Sequence, residues 1–316
     1  RGLLWRTGWR MRTLGKRLRD FGADALFVPG GIHTGSFRPF VVVSQNVLPF
    51  EDGERQRYGW SLARLRLELV RRAQLRSFAS ADGVVFTTTR ARELIESEIA
   101  PEGQVATILC GVNERFRLEP RPQQPIEAYS AARPFKWLYA STVNLYKHQW
   151  HVVEAVARLR REGLPVALDL VGRAYGPARR RLLESIDRWD PAGEFVTYLT
   201  HVPEIMDAYA VADGAVFASS CETPSFVLLE CMAAGLPIAC ARRSGMPEVL
   251  ADGGEYFDPE DPTSIADAMR EMLLSPLRRS ELAEVASRRS RNYTWSRCAE
   301  DTMALSASTA RRGEQD

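Results

Sequence analysis

One stretch constrains this chain more than any other. Ala-Val-Phe-Ala-Ser-Ser at 215–220 reads as a buried strand, and Glu222 follows it in a short polar loop. An apolar run then leads through Glu230 and Cys231 to Gly235-Leu-Pro237. Thr223 has the side-chain oxygen of a helix N-cap, and Pro224 suits the first helical position, where a missing N–H costs nothing. Gly235 ends the helix and Pro237 prevents its continuation. The unit is therefore strand, tight loop, helix, strand. Units of this kind build an open parallel sheet that binds ligands at the carboxyl ends of its strands. The N–H groups of Ser225, Phe226 and Val227, with the helix dipole, form an anion site. Glu222 stands before the helix and Glu230 two turns inside it, so both carboxylates can face one crevice. Two acids alone would more often decorate a solvated face. The helix start between them is what favours a ligand.

The 316 residues suffice for two domains, and 45% hydrophobic residues allow ordinary cores. A net charge of +2 argues against bulk nucleic-acid binding. Five scattered cysteines (110, 221, 231, 240, 298) have no metal spacing and read as buried thiols in a reducing, cytoplasmic compartment. No run approaches the roughly 20 apolar residues of a membrane helix.

In chain order, residues 3–21 have helical spacing of Leu4, Met11, Leu14, Leu18 and Phe21, with a basic opposite face. That face either meets solvent or, with Trp5 and Trp9, lies on a membrane surface. Strands are expected at 25–30, 39–45, 83–88 and 105–110. Gly30 and Gly31 would let a backbone approach a ligand, and His33 follows them in a loop where surface histidines are the commoner case. Gln45-Asn46 ends the second strand in the position of an active-site loop. The helix at 60–78 carries five arginines against Glu68, again a solvated face or one suited to an anionic membrane or acceptor. Prolines at 120, 122, 125 and 134 make 117–134 an extended linker. A second domain opens at Phe135, and residues 311–316 read as a disordered polar tail.

Glu222-x7-Glu230, Cys231-Met-Ala-Ala-Gly-Leu-Pro237, Ser244-Gly-Met-Pro-Glu248 and Tyr256-Phe-Asp-Pro259 resemble, in order and spacing, the signature of the retaining family 4 glycosyltransferases. The resemblance covers roughly 20–300 and is specific from about 135 onward. It implies an α/β GT-B fold, with two Rossmann-like domains facing a cleft. The expected division is an N-terminal acceptor-side domain at 1–116, the linker at 117–134, a nucleotide-sugar domain at 135–290, and a closing helix and tail at 291–316. The N-terminal domain reads as incomplete. It lacks an opening strand and glycine-rich loop, so an N-terminal truncation or a reduced domain is expected.

By resemblance, Glu222, Lys147 and Asn46 would be catalytic. Glu230 would bind ribose, and Ser225, Phe226 and Val227 the diphosphate. His201 and Val202 would border the base, with Gly30, Gly31 and His33 on the acceptor side. An arginine usual in the family is replaced by Ser141, so either Arg173 substitutes or charge compensation is weaker. No metal and no cofactor beyond the nucleotide sugar are expected, since no Asp-x-Asp motif is present. The expected partners are a nucleotide sugar and a glycan or lipid-linked acceptor, without nucleic acid, and with a peripheral contact at the inner membrane face. The rival reading is a degenerate homologue that binds nucleotide or glycan without turnover.

Overall fold

The computed structural model describes residues 13–223 and 225–313. They form two compact units, 1–111 with 295–316 and 112–294. Trp5, Trp9 and Pro224, to which the sequence reading gave roles, lie outside the described residues.

Among the described residues the first unit has four parallel strands: β1 (Leu26–Val28), β2 (Phe40–Ser44), β3 (Gly83–Phe86) and β4 (Gln104–Thr107), in that spatial order. β2 and β3 are buried on both faces, as central parallel strands must be. The strand period of two sorts their side chains. Phe40, Val42, Val84 and Phe86 join Phe50, Phe78 and Ile95 on one face. Val41, Val43 and Val85 face the other way, packed with Ile108, Cys298 and Leu305. The helix Trp295–Gly313 covers that second face. Its last turn holds Arg311 and Arg312, where cations offset the helix dipole. The expected disordered tail from 311 is thus corrected: the helix runs on to Gly313.

The helix Leu62–Ser80 is capped by Ser61, whose hydroxyl accepts from the Arg64 N–H. It buries Gln74, Ser77 and Phe78. Leu62, Leu65 and Leu69 stay exposed, beside a fully exposed Trp60.

The second unit has six parallel strands: β5 (Phe135–Ala140), β6 (Val166–Val171), β7 (Val196–Leu199), β8 (Gly214–Phe217), β9 (Ile238–Ala241) and β10 (Gly254–Phe257). Their spatial order is β10-β9-β8-β5-β6-β7. The chain builds outward from β5 to β7, then returns to lay β8 on the other side of β5. The reversal creates a topological switch point between β5 and β8, where an open sheet parts at its carboxyl edge.

Two expectations change here. The segment 117–134 is not a free linker but a strap on the second unit. Leu118 N–H donates to the Ala233 carbonyl at 3.0 Å, and Arg121 Nη1 to the Ala210 carbonyl at 2.7 Å. The buried Arg279 reaches Gln123 Oε1 at 3.0 Å and the Gln124 carbonyl. Backbone polar groups need partners whether or not the stretch is helical, and here the strap and the unit donate to each other's carbonyls. The helix expected from Thr223 instead spans Phe226–Ala233 with Ser225 as its N-cap, Ser225 Oγ accepting from the Leu228 N–H at 3.4 Å. Thr223 stays in the loop because Ser225, three residues before Leu228, has the reach a cap requires. At the other end Gly235 is left-handed (φ 65°), and its N–H and that of Leu236 close on the carbonyls of Met232 and Cys231. A Cβ there would lie 2.8 Å from the Pro120 nitrogen, so the strap also requires glycine.

Candidate functional site

Two loops leave the carboxyl ends of the strands at the switch point: one after β5, from Ser141 to His148, and one after β8, from Ala218 to Ser225. They interlock. The Ser220 N–H donates to the Tyr146 carbonyl at 2.8 Å, and Ser220 Oγ meets His148 Nε2 at 2.9 Å. His148 is left-handed (φ 52°) and starts the helix Gln149–Arg161, turning the chain sharply just after Lys147. Lys147 is fixed at both backbone ends. Its N–H donates to the Asn144 carbonyl at 3.0 Å, and its carbonyl accepts from the buried Tyr139 hydroxyl at 2.6 Å.

The Lys147 side chain is buried, with Nζ 4.9 Å from the Phe217 ring centroid and 5.4 Å from that of Tyr146. Aromatic faces attract a cation, but the main partner is Glu222 Oε1. The pair joins residues 75 positions apart in the chain. Ser219 Oγ donates to the same carboxylate oxygen at 2.7 Å. The Glu222 backbone is held too: its N–H donates to Ser244 Oγ at 3.2 Å, and that hydroxyl donates to the Glu222 carbonyl at 2.8 Å. The side chains of Lys147 and Glu222 are only 7% and 13% exposed, so water screens the pair weakly. The switch point therefore holds a preformed cation and carboxylate on rigid supports.

Glu230 lies in a second cluster. Its Oε2 accepts from the Tyr209 hydroxyl at 2.8 Å, from the helix Ile205–Val211. Burial raises the Glu230 carboxyl above the ordinary range, against the lowering effects of Tyr209 and of the Arg115 charge. Phe116 packs edge-on to Tyr209 at 5.7 Å, and the turn Glu114–Phe116 contacts the helix Phe226–Ala233.

The other expected donor residues are less engaged. Phe226 and Val227 open the helix, and Ser225, the third expected amide donor, is its cap. Ser141 is buried, its N–H bonded to the Val171 carbonyl at 2.8 Å. A Cβ on Gly172 would lie 2.2 Å from the Ser141 oxygen, so the two loop starts meet backbone to backbone. Arg173 is exposed and makes no ion pair among the described residues. His201 is exposed in its loop, and Val202 packs on the core.

Asn46, Gly30, Gly31 and His33 belong to the first unit. Asn46 is exposed, and its Oδ1 accepts from the Leu48 N–H at 3.0 Å, closing a turn after β2. Gly30 faces open space. Gly31 is buried and left-handed (φ 73°), and a Cβ there would meet Gln74 Nε2 at 2.6 Å. Its glycine is thus required by packing within the unit. His33 is no plain surface histidine: its N–H donates to Ser77 Oγ at 3.0 Å and its ring lies 4.5 Å from that of Phe40.

The sequence reading missed Tyr209, Ser219, Ser244 and Arg115. Ser219 was absorbed into an overlong strand. Ser244 stood in a quoted motif without a role. Tyr209 and Arg115 carry no local signal, because their partner is a carboxylate distant in sequence.

Residues 134–275 match the family model described as glycosyl transferases group 1. A GDP-mannose-dependent alpha-(1-6)-phosphatidylinositol monomannoside mannosyltransferase of Mycolicibacterium smegmatis is 29% identical over 248 residues, 73% of this chain and 62% of that protein. A D-inositol 3-phosphate glycosyltransferase of Corynebacterium urealyticum is 28% identical over 162 residues, 49% of this chain and 38% of the relative. The chain thus spans less than two thirds of the length of these relatives. Among solved structures, sucrose-phosphate synthase from Thermosynechococcus elongatus aligns with a TM-score of 0.72 at 19% identity, covering 92% of this chain and 75% of that one. Anabaena HepE in complex with UDP and glucose aligns with a TM-score of 0.67 at 18% identity, covering 85% and 72%. With two parallel α/β sheets, the fold is of the GT-B type.

Proposed function

We propose that the chain transfers a sugar from a nucleoside-diphosphate sugar to a glycan or lipid-linked acceptor, with retention at the anomeric carbon. The observation that carries this reading is Lys147 against Glu222 at the β5–β8 switch point. A donor that reaches the site offers its diphosphate to Lys147 and to the amides at Ser225, Phe226 and Val227. The ammonium then stabilises charge that gathers on phosphate as the anomeric C–O bond breaks. Glu222, relieved of its cation, accepts from hydroxyls of the donor sugar. Glu230 accepts from the ribose, and His201 and Val202 border the base. The acceptor hydroxyl oxygen bonds to the anomeric carbon and its proton passes to the departing phosphate oxygen, so nucleoside diphosphate is the second product. Asn46 is the catalytic residue contributed by the first unit, and Gly30 and His33 belong to the acceptor side. A GDP-mannose-dependent sequence relative and a structural neighbour bound to UDP support a nucleoside diphosphate without fixing its base.

Lysine and helix start supply the counter-charge that a cation would otherwise provide, so turnover is expected to survive EDTA. A loss of activity restored by magnesium or manganese would refute that part. The working location is the cytoplasm, with a peripheral contact at the inner membrane face. No helix of the described residues is long and apolar enough to cross a membrane. The contact is instead assigned to Trp60, Leu62, Leu65 and Leu69, all at least 56% exposed, with Arg66, Arg72 and Arg76 exposed on the same helix. Incubation with a panel of nucleotide sugars, without acceptor, tests the reaction class. Release of nucleoside diphosphate and free sugar is expected. Binding of a nucleotide sugar with no release, with or without acceptors, would leave a binding module.

A further inference from the structure

Glu230 is a half-buried carboxylate with only one oxygen committed. The Tyr209 hydroxyl donates to Oε2 at 2.8 Å, and no other hydrogen bond to the carboxylate is made among the described residues. The tyrosine is itself closely packed. It is 1% exposed, and the Phe116 ring packs edge-on against it at 5.7 Å. Arg115, the neighbour of Phe116, is exposed and has its guanidinium carbon 4.8 Å from that ring's centroid. A Glu side chain with three rotatable bonds is thus pinned at one oxygen while the other remains able to accept.

We infer that Tyr209 is a positioning residue for nucleotide recognition: by holding Oε2 it aims Oε1 of Glu230 at a vicinal diol of the ligand. The inference rests on Glu230 reading the ribose, as proposed above. A pinned acceptor is ordered before binding, so little side-chain freedom is lost when the diol arrives. The same hydrogen bond favours the ionised carboxylate and so opposes the effect of burial. The groups that face it are Tyr209, Arg115 and the thiol of Cys231, whose own ionisation burial pushes far up. Loss of the phenol or of the arginine charge raises the Glu230 carboxyl further. Affinity that needs the carboxylate is present above its pKa and lost as pH falls through it, so either change moves that loss to higher pH.

The test is calorimetric titration with UDP and GDP and with their 2′,3′-dideoxy analogues. The wild-type chain is expected to prefer whichever ribonucleotide it binds over its dideoxy analogue by about tenfold or more, the scale of hydrogen bonds to a charged group. Tyr209→Phe keeps the ring and its packing. It is expected to shrink that preference to roughly threefold or less while leaving dideoxynucleotide affinity unchanged. Arg115→Gln, at an exposed position, tests the same idea without touching the core: it should keep the preference at high pH and lose it at a higher pH than wild type. A Tyr209→Phe variant with the full wild-type preference overturns the inference, as does an equal loss for both ligand types, which marks a merely structural role. If Tyr209→Phe does not fold, an Arg115→Gln profile superimposable on wild type overturns it. A wild-type chain blind to the ribose hydroxyls would instead remove the Glu230 reading, and the inference with it.

Discussion

The two units are built from the same strand–helix vocabulary, yet among the described strands the reversal of order lies in the second. In the first, the described strands run β1-β2-β3-β4 without reversal, and the loops at their carboxyl ends are held by contacts such as the Asn46 turn, the packing of His33 on Phe40 and its backbone bond to Ser77. In the second, the reversal between β5 and β8 brings two loops together, and an ion pair, a serine hydroxyl and a histidine bind them. A reversal yields a crevice with charged groups on rigid supports, whereas a simple strand order yields loops free to vary. On the proposed function, the donor-binding residues lie in the second unit and the acceptor-side residues in the first.

The largest expected effect comes from breaking the buried pair. Lys147→Ala leaves the Glu222 carboxylate in a poorly hydrated site with Ser219 as its remaining side-chain donor. A destabilisation of about 3 kcal/mol in urea unfolding is expected, together with loss of turnover. The first unit supplies the contrast. Its pair Arg92–Glu96 is 41% and 30% exposed, and Arg92→Ala should cost below about 0.5 kcal/mol. Equal costs at the two sites would erase the distinction.

Next is Glu230→Ala, expected to weaken nucleoside-diphosphate binding by about 1.5–3 kcal/mol. Glu230→Gln should lose less, since an amide oxygen still accepts. Asn46→Ala, in the first unit, should leave that affinity unchanged and lower transfer to acceptor. Calorimetry and an acceptor assay separate the two; a nucleotide-binding defect in Asn46→Ala would place donor contacts in both units.

The same contrast explains how much could be read from the sequence. The parallel α/β architecture, the four strands of the first unit and the strand–loop–helix around Glu222 follow from local patterns of buried runs, caps and breakers. Glu222 and Glu230 stand out because a helix start lies between them, and Lys147 through the family resemblance. Their partners are another matter. Tyr209 meets Glu230 across 21 positions and Lys147 meets Glu222 across 75, so these contacts depend on the register of packed elements and have no local signature. The N-cap was misplaced for a related reason: Thr223 and Ser225 are both good cap residues in isolation, and in the structure it is Ser225 that accepts from the Leu228 N–H. The strap at 117–134 was illegible because prolines report only that a segment is not helical.

The smallest effect concerns the outward face of the first unit. Vesicles rich in anionic lipid should bind the chain, neutral vesicles much less, with salt weakening the contact. Leu65→Ser with Leu69→Ser should reduce co-sedimentation by roughly tenfold, from apolar area no longer buried, without altering nucleotide affinity. Equal recovery with both vesicle types, at the level of a blank, would remove the membrane contact.

The central claim is that the donor site is built within the second unit alone. Residues 112–294 contain Lys147, Ser219, Glu222, Glu230 and Tyr209. Titration of that fragment with UDP and GDP is predicted to show binding of one of them with an affinity near that of the whole chain. A fragment that unfolds cooperatively, hence is folded, yet binds neither at millimolar concentration while the whole chain does, would contradict the account.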